Sequence, residues 1–181
     1  MGFRHRVMDS LGLDRLVEVQ ALESLLEALA QGLTQRAWRL VTAESCTGGL
    51  VAAACTSMAG SSEWFERGYV TYSNQAKSDA LGVPPALIER HGAVSREVAM
   101  AMVLGALQCS GAQVGVAITG IAGPGGGRPG KPVGTVWFAW ACGQDLVETE
   151  CRRFSGDRTQ VRAAATRHAL QRVRALLESL S

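Results

Sequence analysis

The 181-residue sequence predicts an α/β protein, a three-layer α/β/α sandwich with a mixed, mostly parallel sheet of about five strands. Short apolar runs typical of buried strands alternate with stretches whose apolar residues recur at helical spacing. Such interleaving favours a parallel sheet covered by helices on both faces. The last two strands follow one another with no helix between them, which predicts a hairpin and makes the sheet mixed.

The first half of the chain is predicted to contain two strands and the helices around them. Leu, Val and Ala recur at helical spacing up to Gly32, a typical helix end. Pro84 and Pro85 suit the first turn of a short helix, and Ser95 suits the cap of a long apolar one. The predicted strands are 37–43 and 68–73; the predicted helices are 13–32, one from the turn at 45 to about 57, 62–66, 74–81, 84–91 and 95–110.

The second half is predicted to supply three strands and a final helix. Strand 114–119 enters a glycine-rich loop, 120–131, and the hairpin follows with a turn at 142–145. The hairpin strands lie near 133–141 and 146–154, and the final helix runs from about 157 to 180.

The glycine-rich loop contains two phosphate-binding patterns that we do not accept. It fits the first seven positions of a P-loop, and it fits G-x-G-x-x-G at positions 125, 127 and 130. Both motifs need a helix to follow, so that its N-terminus points at the phosphate. Here Pro132 stands where a P-loop needs Ser or Thr, and a strand follows. We interpret the segment as a loop that covers a substrate, or as a long surface connection.

Length and charge indicate one ordinary domain with a small-molecule partner. We expect residues 17–181 to form a single domain and residues 1–16 to be an N-terminal extension. Lys+Arg 18 against Asp+Glu 16 leaves +2, too balanced to predict binding of nucleic acid or an anionic membrane. No apolar run reaches the ~18 residues of a membrane span, and the start MGFRHRVMDS lacks the apolar core of a secretory signal. We therefore expect a cytoplasmic protein.

The cysteines and histidines form no metal-binding pattern. The five cysteines are scattered without a CxxC pair, so neither a disulfide framework nor a zinc site is predicted. We interpret most of them as small buried hydrophobic residues. His91 and His168 lie on predicted helices among polar neighbours, and we expect both on the surface. We expect neither a metal nor another cofactor.

The segment VTAESCTGGL contains the strongest candidate for a nucleophile, Ser45. It predicts a buried strand that stops at the serine and turns through two glycines into an apolar helix. The first N–H groups of a helix are unpaired and the helix dipole favours negative charge there, which suits a nucleophile and its oxyanion. From the residues alone, the alternative is that Glu44, Ser45 and Thr47 simply cap the helix.

Lys77 is the candidate base for this serine. No G-x-S-x-G elbow supports a Ser–His–Asp arrangement, and the chain has only two lysines, Lys77 and Lys131. Lys77 falls in the first turn of the helix after the second strand, where the positive helix end and partial burial disfavour an ammonium. A lysine whose pKa is lowered in this way can act as a general base. The alternative is an ordinary solvated lysine.

Seven motifs occur in the order found in the CinA C-terminal domain family, which the chain resembles over about residues 17–178. They are TAESCTGG (42–49), GSSEWFERG (60–68), VTYSNQAK (70–77), HGAVS (91–95), GIAGP (120–124), KPVGTVW (131–137) and FSGDR (154–158). We expect no counterpart of the nucleotide-binding N-terminal domain that longer family members carry.

The resemblance implies hydrolysis of the carboxamide of nicotinamide mononucleotide to nicotinate mononucleotide and ammonia, a step of the pyridine nucleotide cycle in NAD metabolism. It implies Ser45 as nucleophile, Lys77 as general base and Tyr72 as a group that holds or relays the proton. It also implies a homodimer and a pyridine nucleotide as the small-molecule substrate. The residues expected to bind substrate are Cys46, Thr47, Gly48, Gly49, Thr119, Gly120 and Arg158.

Two departures and two alternatives accompany this interpretation. Gly125 and Arg128 replace the acidic or polar residue and the serine usual in the family's glycine loop. Arg128 adds a cation beside the expected pocket. One alternative function is a nucleotide-binding or competence- and DNA-damage-associated accessory protein without chemistry. The other keeps the hydrolysis but uses Cys46 as nucleophile.

Overall fold

The structure is a computed structural model that describes residues 19–143 and 146–180. The predicted extension, residues 1–16, lies outside the described residues. The helices are α1 (19–34), α2 (Leu50–Thr56), α3 (Asn74–Leu81), α4 (Pro85–His91), α5 (Arg96–Ser110) and α6 (Arg158–Ser179). The strands are β1 (Leu40–Glu44), β2 (Phe65–Val70), β3 (Val114–Gly120), β4 (Thr135–Cys142) and β5 (Leu146–Arg153).

The sheet has five strands in the order β2-β1-β3-β4-β5 and confirms the predicted fold class. Strand β1 lies between β2 and β3 and pairs with both in parallel. The late hairpin adds β4 and β5 as antiparallel partners, so β4 alone of the described strands runs against the others. The C-terminal ends of β1, β2 and β3 therefore meet at one edge of the sheet, the usual place for a site in an α/β protein.

The two faces of the sheet bury side chains of different size. Helices α1, α2 and α6 cover bulky residues such as Ile118, Phe138 and Trp140. The opposite face carries mainly alanines on its strands, and α3, α4 and α5 cover it. Gly115 shows how closely α5 packs, because a Cβ there would lie 2.9 Å from a methyl group of Val103. Alternating side chains in each strand thus supply two separate cores.

Several predicted boundaries are confirmed by the capping contacts. The side chain of Ser95 accepts a hydrogen bond from the N–H of Val98, as a helix cap does. Asp157 and Gln160 form a reciprocal capping box at the start of α6. Helix α3 has the predicted limits, and its cap is Ser73.

Other boundaries were wrong, and one of them matters for the site. The second strand ends at Val70 and not at residue 73, because the chain leaves the sheet to reach the cap of α3. The carbonyls of Thr71 and Tyr72 are consequently not part of the sheet ladder. The first helix continues past Gly32 to residue 34, and the predicted helix 62–66 is a single 3-10 turn at Ser61–Glu63.

The prediction that most cysteines are buried was wrong. Cys46 and Cys55 are buried, Cys142 is half-buried, and Cys109 and Cys151 are exposed. All five are free thiols. Their positions explain the error. Cys151 lies on the edge strand β5, and Cys109 lies in the last turn of α5, which is open to solvent.

Candidate active site

Ser45 follows the last residue of β1 and opens a tight turn at the C-terminal edge of the sheet. Its N–H donates to the carbonyl of Ile118 in β3 at 2.9 Å, which fixes the residue to the sheet. Its carbonyl accepts from the N–H of Gly48 at 3.1 Å, which closes the turn. Gly48 and Gly49 have φ values of 60° and 95°, a conformation that glycine adopts without strain. The two glycines are what allow the chain to enter α2 so soon after the strand.

Glu44 caps helix α2, and this leaves the Ser45 hydroxyl available. The fully buried carboxylate accepts hydrogen bonds from the N–H groups of Gly49, Val51 and Ala52 at 2.9–3.0 Å. A carboxylate at a helix N-terminus also opposes the helix dipole favourably. The capping alternative from the sequence therefore applies to Glu44 and not to Ser45, whose hydroxyl contacts Lys77.

Two of the backbone N–H groups predicted to bind the oxyanion already donate hydrogen bonds within the protein. Gly49 donates to Glu44, and Gly48 donates to the Ser45 carbonyl. The remaining N–H groups of the turn, those of Cys46 and Thr47, lie beside the Cys46 sulfur and favour negative charge there. Within the described part of the turn, these two N–H groups are therefore the ones not bound to a backbone or carboxylate oxygen.

Lys77 reaches Ser45 from the first turn of α3. Its Nζ lies 3.1 Å from the Ser45 Oγ, and it donates to the carbonyls of Thr71 at 2.8 Å and Tyr72 at 3.3 Å. The residue is 1% exposed, so the solvated alternative is wrong. Burial lowers the pKa of Lys77 from 10.5 to about 8. No carboxylate contributes to that pKa, because the acceptors around Nζ are a hydroxyl and two carbonyls.

Tyr72 meets Lys77 through its backbone, and its side chain points elsewhere. The phenol oxygen accepts from Nη2 of Arg158 at 3.0 Å, and the residue is 60% exposed. Arg158 also donates from Nη1 to the carbonyl of Gly123 at 2.9 Å. The guanidinium therefore ties three segments together at the rim of the site: the start of α6, the chain after β2 and the glycine loop.

The predicted binding residues after β3 have contacts of their own. Thr119 is buried, and its hydroxyl donates to the carbonyl of Ala93 at 2.8 Å. A Cβ on Gly120 would lie 2.8 Å from a methyl group of Val136, so the residue allows the two strands to approach. Thr119 and Gly120 thus lie at the expected edge, where they hold the 91–95 segment and β4 in place.

Cys46 lies next to the nucleophile candidate but is poorly suited to act as one. The residue is 5% exposed, and burial raises the pKa of its thiol to about 11. A thiol with such a pKa is protonated at neutral pH, and only the thiolate is strongly nucleophilic. Thr47 is fully buried, and its hydroxyl has no hydrogen-bond partner among the described residues.

Sequence reasoning assigned no role to two cations near these segments. Arg162 donates from Nη2 to the carbonyl of Thr47 at 2.8 Å. Its spacing of four residues from Arg158 places both on one side of α6, a signal that the sequence contained. Lys131 donates to the carbonyls of His91 and Val94 and so attaches the glycine loop to the 91–95 segment.

The glycine loop is followed by a strand, as predicted, and not by the helix that a P-loop requires. Within residues 19–143 and 146–180, no group of three or more His, Cys, Asp or Glu side chains is arranged to hold a metal ion. No helix in the same ranges is both long and apolar enough to cross a membrane.

Two similar proteins match most of the chain. It is 53% identical over 152 residues to the nicotinamide-nucleotide amidohydrolase PncC of Escherichia coli, which covers 83% of this chain and 91% of that protein. It is 53% identical over 141 residues to the protein of the same name from Pseudomonas putida, with coverage of 78% and 88%.

Solved structures share the fold. A competence-damaged protein (CinA) superfamily protein from Klebsiella pneumoniae has a TM-score of 0.83 at 41% identity, covering 87% of this chain and 98% of that one. The competence/damage inducible protein CihA from Agrobacterium tumefaciens has a TM-score of 0.83 at 46% identity, covering 86% and 94%. The family model of the CinA C-terminal domain matches residues 22–177. The chain therefore belongs to the CinA C-terminal domain family.

Proposed function

We propose that this protein hydrolyses the carboxamide of nicotinamide mononucleotide to nicotinate mononucleotide and ammonia, with Ser45 as nucleophile and Lys77 as general base. One observation carries the mechanism: the Lys77 Nζ lies 3.1 Å from the Ser45 Oγ, and burial lowers the pKa of Lys77 to about 8. The substrate class is supported by the relatives named nicotinamide-nucleotide amidohydrolase at 53% identity.

A neutral amine can also satisfy the contacts of Lys77. An uncharged amine has two N–H groups and one lone pair. Thr71 and Tyr72 offer two carbonyls for the N–H groups, and the lone pair then accepts the Ser45 hydroxyl proton. A base placed in this way raises the nucleophilicity of the serine without any carboxylate or histidine.

The reaction follows from this geometry in two stages. The Ser45 Oγ forms a bond to the amide carbon while its proton passes to Lys77. When the tetrahedral intermediate collapses, the C–N bond breaks and the Lys77 ammonium returns the proton, so that ammonia leaves. Water then attacks the acyl-serine, gives a proton to Lys77 and displaces the Ser45 oxygen, which takes that proton back.

Backbone N–H groups stabilise the oxyanion in this proposal. The N–H groups of Cys46 and Thr47 remain for that role, since those of Gly48 and Gly49 are occupied. Removal of one oxyanion donor costs about 10²–10³ in kcat in well-studied acyl-transfer enzymes. Gly48 and Gly49 then contribute through the shape of the turn.

Arg158 and Tyr72 bind the substrate at the rim in this proposal. The guanidinium presents donors that match phosphate oxygens, and the exposed Tyr72 ring offers an apolar surface to an aromatic base. Thr119 and Gly120 act by holding the walls of the site. We also propose that the protein forms a homodimer, as the family resemblance implies, and that it acts in the cytoplasm.

Ammonia release across a panel of pyridine nucleotides tests the function. We expect release from nicotinamide mononucleotide by the wild-type protein and loss of release in Ser45→Ala. Ser57→Ala is the matched control, because Ser57 lies at the exposed end of α2 and its hydroxyl contacts only the Ala54 carbonyl among the described residues.

Two other outcomes would favour the alternatives. Saturable binding of the nucleotide without ammonia release, at every pH tested, would indicate a nucleotide-binding accessory protein. Turnover that survives Ser45→Ala but disappears in Cys46→Ala would assign the nucleophile to Cys46.

A further inference from the structure

Arg162 connects helix α6 to the turn that contains the candidate nucleophile. The residue lies in the second turn of α6, and this helix packs against α2. Its Nη2 donates to the Thr47 carbonyl at 2.8 Å. A guanidinium that donates to a carbonyl makes a charge-assisted hydrogen bond, which is stronger than a neutral one.

The peptide between Thr47 and Gly48 is held at both of its polar atoms. Arg162 binds the Thr47 carbonyl, which also accepts from the N–H of Leu50 at a longer 3.4 Å, and the Gly48 N–H donates to the Ser45 carbonyl at 3.1 Å. If this peptide rotates, the turn loses these bonds together and the Ser45 backbone is released on that side. Glu44 holds the other end of the turn through the N–H of Gly49.

Arg162 is not placed there for stability alone. Its Nε is buried and has no hydrogen-bond partner among the described residues, and the same holds for the nearby Thr47 hydroxyl. A buried donor without a partner opposes folding, whereas an apolar side chain of similar size would not. Arginine at this position therefore suits a task that an apolar residue cannot perform.

We propose that Arg162 is a positioning residue, which fixes the Thr47–Gly48 peptide and thereby keeps the Ser45 hydroxyl and the neighbouring N–H groups in reactive geometry. The inference rests on the proposed function in taking Ser45 as the nucleophile. In this proposal Arg162 acts through the turn, by its contact with the Thr47 carbonyl, and not on the substrate or Lys77 directly. Misplacement of a reacting group by about 1 Å can lower a rate about 10²-fold.

Arg162→Met, which keeps the length of the stem and removes the donors, is the variant that tests the proposal. We expect kcat for ammonia release to fall about 10²-fold with KM changed by less than about twofold, because ground-state binding is retained. Arg162→Lys, which restores one donor, should recover at least about tenfold of that loss. Arg174→Met is the matched control on α6, since Arg174 pairs with Glu178 at the far end of the helix.

A second readout separates this proposal from the proposed function. A fluorophosphonate probe forms a bond to the Ser45 oxygen and releases fluoride, and the rate of this labelling, followed by mass spectrometry, needs no nucleotide. We expect Arg162→Met to slow labelling and to leave its pH midpoint unchanged, because Arg162 is not among the causes of the lowered Lys77 pKa. Circular dichroism verifies that each variant is folded.

The outcomes are distinct. Slower labelling in Arg162→Met together with no turnover of any pyridine nucleotide by the wild type would retain the positioning role and refute the proposed substrate. Equal kcat and equal labelling in the wild type and Arg162→Met would overturn the positioning role. So would a wild type that neither labels at Ser45 nor releases ammonia, since no nucleophile would then be positioned.

Discussion

Lys77 and His168 are both bases withdrawn from solvent, and their different partners give them different properties. The Lys77 amine contacts a hydroxyl and two carbonyls, whereas the His168 Nε2 lies 2.8 Å from a carboxylate oxygen of Glu150. Burial is the main cause that lowers the pKa of both groups. For His168, the Glu150 carboxylate opposes the shift, while the nearby Arg152 and Arg172 guanidiniums reinforce it.

The surroundings of His168 fit a structural residue. Its ring meets those of Phe138 and Trp140 edge-on, with centroids 4.9 and 5.7 Å apart. The side chain is 12% exposed, so the prediction of a surface position was wrong. The comparison teaches that partners decide the use of a base: the Lys77 amine faces the hydroxyl of Ser45, whereas the half-buried His168 ring is held by Glu150 and by aromatic rings.

Removal of each base should therefore have unequal effects on activity. We expect Lys77→Met to lower kcat for ammonia release by at least about 10²-fold and by up to about 10⁴-fold, the usual contribution of a general base. His168→Gln keeps a polar group of similar size beside Glu150 and should leave kcat within about twofold. Steady-state ammonia release measures both, and a comparable loss in the two variants would contradict the comparison.

The pH dependence of the rate should follow the lysine. Because the neutral amine is the active form, kcat/KM should rise with pH, with a midpoint near the lowered pKa of about 8, and reach a plateau above it. At pH 7 the rate should be about one-tenth of the plateau, since about one-tenth of the amine is then neutral. Glu150→Gln should not move this midpoint. A rate that is flat from pH 6 to 9 would remove Lys77 from the role of base.

A carboxylate placed near Lys77 should make it resemble His168. Cys46 is the neighbour that would raise the pKa of Lys77 if its side chain carried a negative charge, so Cys46→Asp introduces a counter-ion at a suitable position. We expect the pH midpoint of the rate to move up by about one unit, which lowers the rate at pH 7 by a further factor of about ten. Cys46→Asn is the matched neutral control and should keep the midpoint near that of the wild type. Equal midpoints for Asp and Asn would show that charge at this site does not reach the amine.

The smallest effects concern stability. The pKa of Lys77 is about 8 in the folded protein and 10.5 in the unfolded chain, so burial of the ammonium opposes folding most strongly below about pH 8. The opposition declines as pH rises from 8 to 10.5, because in this range the folded protein has released the proton and the unfolded chain still holds it. We expect Lys77→Met to raise the midpoint of thermal unfolding by roughly 2–5 °C at pH 7, with a difference that shrinks above pH 8. His168→Gln should lower it by a similar amount, because the ring packing is lost. Thermal unfolding at pH 7 and pH 9 provides the measurement, and a destabilised Lys77→Met would contradict this account.

The sequence determined the order of elements and the location of the candidate site. Local signals were sufficient for this: Ser95 and Asp157 mark helix starts, and each side chain caps its own helix. The strand-to-helix turn at Ser45 and the helix that contains Lys77 also follow from local patterns. Since parallel strands end at one edge of a sheet, the order of elements was enough to bring the two residues to the same edge.

Only the tertiary structure decided how these side chains are used. The sequence could not show that Glu44 caps α2 and leaves Ser45 free, or that the hydroxyl of Tyr72 pairs with Arg158. Nor could it show that Arg162 reaches Thr47, or that Lys77 is enclosed without a carboxylate. Local patterns act within a few residues, whereas the pKa of a base and the freedom of a hydroxyl depend on groups brought together from distant parts of the chain.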